Sequence, residues 1–141
     1  MEWNYYNTFI AVSDDCPVEY GAVPPDKAAG KTKPGIEYDM IAGEPYAHTQ
    51  EEILYETYVR HKQLSPEERD AREAEMRTEF YGKPKACMRA SMLPKKYGWG
   101  LHFNAEGKVA LVPKESEAYG RFADGEIEGV KVLKAMRNKK A

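Results

Sequence analysis

The sequence predicts one α+β domain spanning residues 1–141: an antiparallel or mixed sheet of about five or six strands, with two or three helices on one face. Three observations point there. Residues 99–112 alternate in polarity on either side of a short loop ending in Gly107, the pattern of a β-hairpin. Thr49-Gln50-Glu51-Glu52 and Ser65-Pro66-Glu67-Glu68 both carry helix-start signatures. Residues 3–12 alternate with apolar or aromatic side chains on both sides, as in a strand covered on both faces.

Taken in order, WNYYNTFIAV places Trp3, Tyr5, Phe9 and Ala11 on one face of a strand and Tyr6, Thr8, Ile10 and Val12 on the other. Tyr5 and Tyr6 read as core side chains ahead of stacking platforms. Residues 13–35 hold Pro17, Pro24, Pro25 and Pro34 with Gly21, Gly30 and Gly35, and predict a long irregular loop. Gly30-Lys31-Thr32 does not make a phosphate loop. That pattern needs a glycine where Pro25 stands and a helix where Lys33-Pro34-Gly35 follows. Residues 35–42 predict a second strand, with Ile36, Tyr38 and Met40 at period two, ended by Gly43-Glu44-Pro45.

The Thr49 signature opens a helix to about residue 62, with Leu54, Tyr55, Tyr58 and Val59 along one side. The Ser65 signature opens another, to about Tyr81, whose Glu and Arg content predicts a mostly solvated helix. Cys87–Ser91 reads as a strand, broken by a turn over Leu93–Gly98. In the hairpin, Trp99, Leu101 and Phe103 share one face; Gly100, His102 and Asn104 share the other; Val109 and Leu111 face together. Glu115–Asp124 predicts a short helix burying Tyr119 and Phe122 and stopped by Gly125. Residues 130–136 fit a strand with Val130 and Val132 inward, although Val130, Leu133 and Met136 also align helically. Residues 138–141 are expected to form a frayed basic tail.

Three blocks, NYYNTFI-x-V-x-x-DCPV at 4–18, RASMLPKKYGWGLHF-x-x-EGK-x-AL across the hairpin and VKVLKAMRNK at 130–139, resemble a family of small uncharacterised bacterial proteins classed as a domain of unknown function. The resemblance runs over nearly the whole chain, and its pattern commonly has proline where this chain has Met92. It implies a bacterial, cytoplasmic, single-domain protein and brings no catalytic residues with it.

Charge is balanced overall but uneven along the chain. Residues 1–81 carry 8 basic and 17 acidic side chains, a net −9; residues 82–141 carry 13 and 6, a net +7. The start of the sequence lacks a basic region followed by an apolar run, and no apolar stretch approaches the roughly 18 residues of a membrane span. Cys16 and Cys87 stand far apart and suggest no disulfide framework, so a reducing cytoplasm is expected. His48, His61 and His102 are dispersed, which predicts no metal site, and nothing calls for a cofactor.

The best-supported functional expectation is a pocket for an anionic small molecule, formed by Arg89, Lys95, Lys96, Tyr97 and Trp99 around the 93–98 turn. A second reading is an enzyme using Cys87, with nearby cations favouring its thiolate, or His102. A third is a protein-interaction module or homodimer. Nucleic acid is disfavoured: the basic half interleaves Tyr97, Trp99 and Phe103, but the aromatics sit at core-like positions and the overall charge is −2.

Overall fold

The computed structural model describes residues 4–28 and 30–139. Its elements, in chain order, are β1 (Thr8–Ala11), α1 (Lys33–Gly43), α2 (Gln50–His61), α3 (Pro66–Ala71), α4 (Glu73–Tyr81), a 3-10 turn (Met88–Ala90), α5 (Met92–Lys96), β2 (Trp99–Phe103), β3 (Val109–Pro113), α6 (Glu117–Ala123) and β4 (Lys131–Lys134). The sheet order is β3-β2-β1-β4, antiparallel except for the parallel β1–β4 pair, so the mixed α+β class holds. The described residues form four strands and six α-helices, against the expected five or six and two or three. Two segments read as strands account for much of the difference.

The first is α1. Thr32 caps it, its hydroxyl accepting from Gly35 N at 3.2 Å, and Pro34 sits in the first turn, where no intrahelical N–H is needed. Ile36, Met40 and Ile41 are buried together, a helical spacing that overrides the apparent period two. One of the two grounds for rejecting a phosphate loop therefore falls, since a helix does follow; Pro25 still breaks the pattern. The second segment, Cys87–Ser91, winds into the 3-10 turn because Ser91 caps α5, accepting from Leu93 N at 3.2 Å. Leu93–Lys96, expected as part of a turn, is thereby helical.

Both helix starts are present as read: Thr49 and Glu52 form the capping box of α2, and Ser65 caps α3, where Glu68 completes a second box. The helix expected from Ser65 to Tyr81 is divided at Arg72, whose φ of −104° and ψ of 7° end α3 and start α4. α3 buries nothing, while Met76 and Phe80 of α4 pack with Tyr55 and Val59 of α2 in a small cluster apart from the sheet.

The sheet is covered on two faces, not one. On the first, Ile10, Leu101, Phe103 and Val109 pack against Ile36, Met40 and Ile41 of α1, Ile53 of α2, Met88 and Leu93. On the second, Phe9, Ala11 and Val112 meet Tyr119, Phe122 and Ala123 of α6 and Val130 and Val132 at β4, as the alternation of β2, β3 and β4 requires. Phe9 stacks on Phe122 with centroids 4.9 Å apart. Tyr5 does not stay with Phe9 and Ala11. Asn7 takes a φ of +47°, which breaks the alternation and turns Tyr5 onto Phe103 on the opposite face, 5.4 Å between centroids. Trp3 lies outside the described residues.

The chain after β4 is held. Asn138 N donates to the Asp15 carboxylate at 2.9 Å, Asn138 Nδ2 donates to the Lys95 carbonyl at 2.8 Å, and Lys139 N donates to Asp15 at 3.0 Å. The Ser13 hydroxyl and these amides keep Asp15 well below the usual carboxylate range. Residues 138 and 139 are thus pinned where fraying was expected; 140 and 141 lie outside the described residues. The free side of β3 is covered by residues 46–48, with Tyr46 N donating to Val109 O and Val109 N to His48 O.

Candidate functional site

The five residues expected around the 93–98 turn are spread across separate supporting contacts. Trp99 Nε1 donates to Ala22 O at 2.8 Å, and its ring lies against Tyr38 and so close to Gly21 that a Cβ there would sit 2.8 Å from it. The Tyr97 carbonyl accepts from Ala22 N. These two aromatics hold the loop at residues 20–22. Lys95 and Lys96 occupy the last turn of α5, where cations complement the exposed carbonyls. Arg89 Nε donates to Lys134 O at 2.7 Å, and Met136 N donates back to Arg89 O, so Arg89 fastens the 3-10 turn to the end of β4.

A concave site forms next to that turn instead. A cleft of about 530 Å³ opens between the residues before β1, the start of α2 and the connection from α4 to the 3-10 turn, lined by Asn4, Tyr5, Gln50, Leu54, residues 81–86 and Cys87. Local chemistry builds each wall. Gly82 ends α4 and Pro84 keeps the following chain extended, so Lys83 and Lys85 line the opening. Lys85 Nζ lies 4.8 Å over the Phe80 ring and donates to Lys83 O at 3.2 Å. Gln50 Oε1 accepts from Met88 N at 2.7 Å, tying α2 to the 3-10 turn. The Tyr5 hydroxyl donates to Cys87 Sγ at 3.1 Å. Burial, then the bond to Cys87, pushes the Tyr5 phenol up to about 12, with the Arg89 charge acting in the opposite sense. The phenol therefore stays a donor at neutral pH.

His102 is not part of this cleft. It lies on the α6 face of the sheet, its ring 4.4 Å from Phe122 and its Nδ1 2.7 Å from the Tyr46 hydroxyl. Burial lowers its pKa, which favours the neutral ring. Tyr5 and Cys87 are on the Phe103 face, so the two catalytic candidates are on opposite sides of the sheet and do not form a dyad.

Sequence reasoning passed over Asn4, Gln50, Lys83 and Lys85, and assigned Tyr5 to the core. The one available signal was Lys83-Pro84-Lys85 directly after a helix stop. It also passed over Glu37, which is 8 % exposed and accepts from Ser91 Oγ at 2.7 Å. Burial raises the Glu37 carboxyl to about 7, against smaller lowering effects of Ser91 and Lys33. A second cleft, about 340 Å³, is lined by Lys31, Ile36, Asp39, Arg60 and Gln63; Lys31 is already paired there with Asp26 and Asp39. Among the described residues no three His, Cys, Asp or Glu side chains come together as metal ligands, and no helix is long and apolar enough to cross a membrane.

The family described as "Family of unknown function (DUF6157)" matches residues 1–141. The chain belongs to that family. No curated protein and no solved structure matches it. Any chemistry assigned to a member on this basis must come from its own side chains, and in this member the cleft over Cys87 combines concavity, cations and a thiol.

Proposed function

We propose that this DUF6157 chain is a small cytoplasmic domain that binds an anionic small molecule, and that the ligand enters the cleft over Cys87 instead of the Arg89/Lys95/Lys96 turn. The observation that carries this reading is the composition of the lining: Lys83 and Lys85 share the cleft with the side chains of Leu54 and Tyr5. An apolar interior with a few convergent polar groups is the usual make-up of a small-molecule site. The two lysines supply charge for a carboxylate or phosphate, and Arg89, two residues beyond Cys87, adds to the positive field.

A thermal-shift screen at low salt, against phosphorylated and carboxylated metabolites, tests it. A ligand present at 100 times its dissociation constant adds about 2.7 kcal/mol to stability. The expected result is a shift that survives Lys95→Glu/Lys96→Glu and is lost in Lys83→Glu/Lys85→Glu. The reverse pattern would return the site to the 93–98 turn, and no shift with any anion would overturn anion binding altogether.

A further inference from the structure

We propose that the cleft is a thiol–disulfide exchange site, in which Cys87 takes an anionic small disulfide into a mixed disulfide. This rests on the reading of the cleft as an anion site and names the chemistry that follows binding.

The sulfur is placed for exchange. Cys87 is partly exposed and lines the 530 Å³ cleft, so a small molecule reaches it without unfolding. The Tyr5 hydroxyl donates to Sγ at 3.1 Å and holds the sulfur at the wall of the cleft. Lys83 and Lys85 line the same cleft and oppose the charge of an anionic reagent. Other cysteine chemistries are less well served. Hydrolysis through a covalent intermediate uses a positioned base, commonly histidine, and no histidine lines the cleft; His102 is on the opposite face. Exchange needs only a thiolate, access and a leaving thiol. An internal disulfide is also disfavoured. Cys16 is 9 % exposed and lies near Tyr119, which belongs to the α6 face, whereas Cys87 contacts Tyr5 on the Phe103 face. The partner sulfur therefore comes from outside the described chain.

The step balances without a further reagent. Cys87 gives its thiol proton to solvent, and Sγ attacks one sulfur of a symmetric disulfide. A bond forms between Sγ and that sulfur while the original S–S bond breaks. The second sulfur leaves with the bonding pair as a thiolate and takes up a proton. Cys87 is oxidised, and the departing half is reduced to a thiol.

The test uses the full chain, reduced, at pH 7 and low salt. Two aliphatic probes of opposite charge are compared, 3,3′-dithiodipropionate and cystamine, each rate normalised to that of N-acetylcysteine amide. Mass spectrometry of the digested protein reads which thiol is modified. The expected result is one modification per native chain, at Cys87, with the anionic probe favoured over the cationic one by about tenfold. That preference should collapse in Lys83→Ala/Lys85→Ala and in about 0.5 M salt, where the screening length falls to roughly 4 Å. Tyr5→Phe, which keeps the ring on Phe103, should slow both probes several-fold. Modification of Cys87 no faster than that of buried Cys16, or equal normalised rates for the two probes, would overturn the proposal. Thermal shifts measured on Cys87→Ser separate the two readings: anion shifts that persist there while native Cys87 resists both probes leave anion binding standing and remove exchange.

Discussion

Replacing Glu37 with glutamine is expected to stabilise the protein by about 2 kcal/mol at pH 8 and to leave it no more stable than the parent at pH 4.5. The Glu37 carboxyl is buried between α1 and the start of α5, with Ser91 Oγ as its hydrogen-bond donor. Its folded-state value of about 7 lies above the ordinary glutamate value of 4.5, so the native state holds this proton more tightly than the unfolded chain does. Stability contributed by the protonated form is complete below about pH 4.5 and is lost as pH rises towards 7. A difference of this size corresponds to about 3 kcal/mol once the group is ionised in both states. Glutamine retains an oxygen for Ser91 and cannot ionise. Its amide adds a buried donor that costs about 1 kcal/mol, which leaves the smaller net gain. Urea unfolding of both proteins at pH 4.5 and pH 8 measures this. Parallel stability profiles across that range would show that Glu37 ionises in the fold without penalty.

Gly98→Ala is expected to destabilise by roughly 3 kcal/mol or more. Gly98 joins α5 to β2 at a φ of +75°, and a Cβ there would lie 2.1 Å from the Tyr20 carbonyl oxygen and 2.8 Å from its carbon. That carbonyl cannot easily move aside. Its loop is held by Ala22 N donating to Tyr97 O, by Trp99 Nε1 donating to Ala22 O, and by Gly21 N donating to the Glu115 carboxylate at 2.9 Å. Gly125 provides the comparison. It has the same φ of +75° and nothing within 4 Å of the added atom, so Gly125→Ala carries only the left-handed strain of about 1–2 kcal/mol. The difference between the two variants, measured in urea at constant m-value, isolates the clash. Equal losses would mean that the 20–22 loop yields without cost.

Both positions show where reading the sequence works and where it stops. Gly98 was recognisable as a turn glycine because, with Pro94, it closes the break between two apolar runs. The severity of its substitution comes from Tyr20, which no local pattern brings near. Glu37 resembled any acid beside a loop; its burial follows from the packing of Ser91, 54 residues away. The strand expected at 35–42 failed for a related reason. Its period-two alternation was visible, and only burial of Ile36, Met40 and Ile41 together showed the helix, in which Thr32 is the cap and Pro34 sits in the first turn.

What the sequence determined by itself is what neighbouring residues settle with their own backbone. The two helix starts, the Gly107 loop and the stop at Gly125 involve groups within about four residues of one another, and the β2–β3 pairing extends outward from the Gly107 loop. Membership of the family follows from the chain as a whole. The cleft was decided by tertiary structure alone. Asn4, Gln50, Lys83 and Cys87 come from segments with no shared period, and the Tyr5–Cys87 contact joins residues 82 apart through an inversion of strand alternation at Asn7. Long-range contacts of this kind are selected by which faces bury together, a property of the assembled sheet and helices that no window along the chain contains.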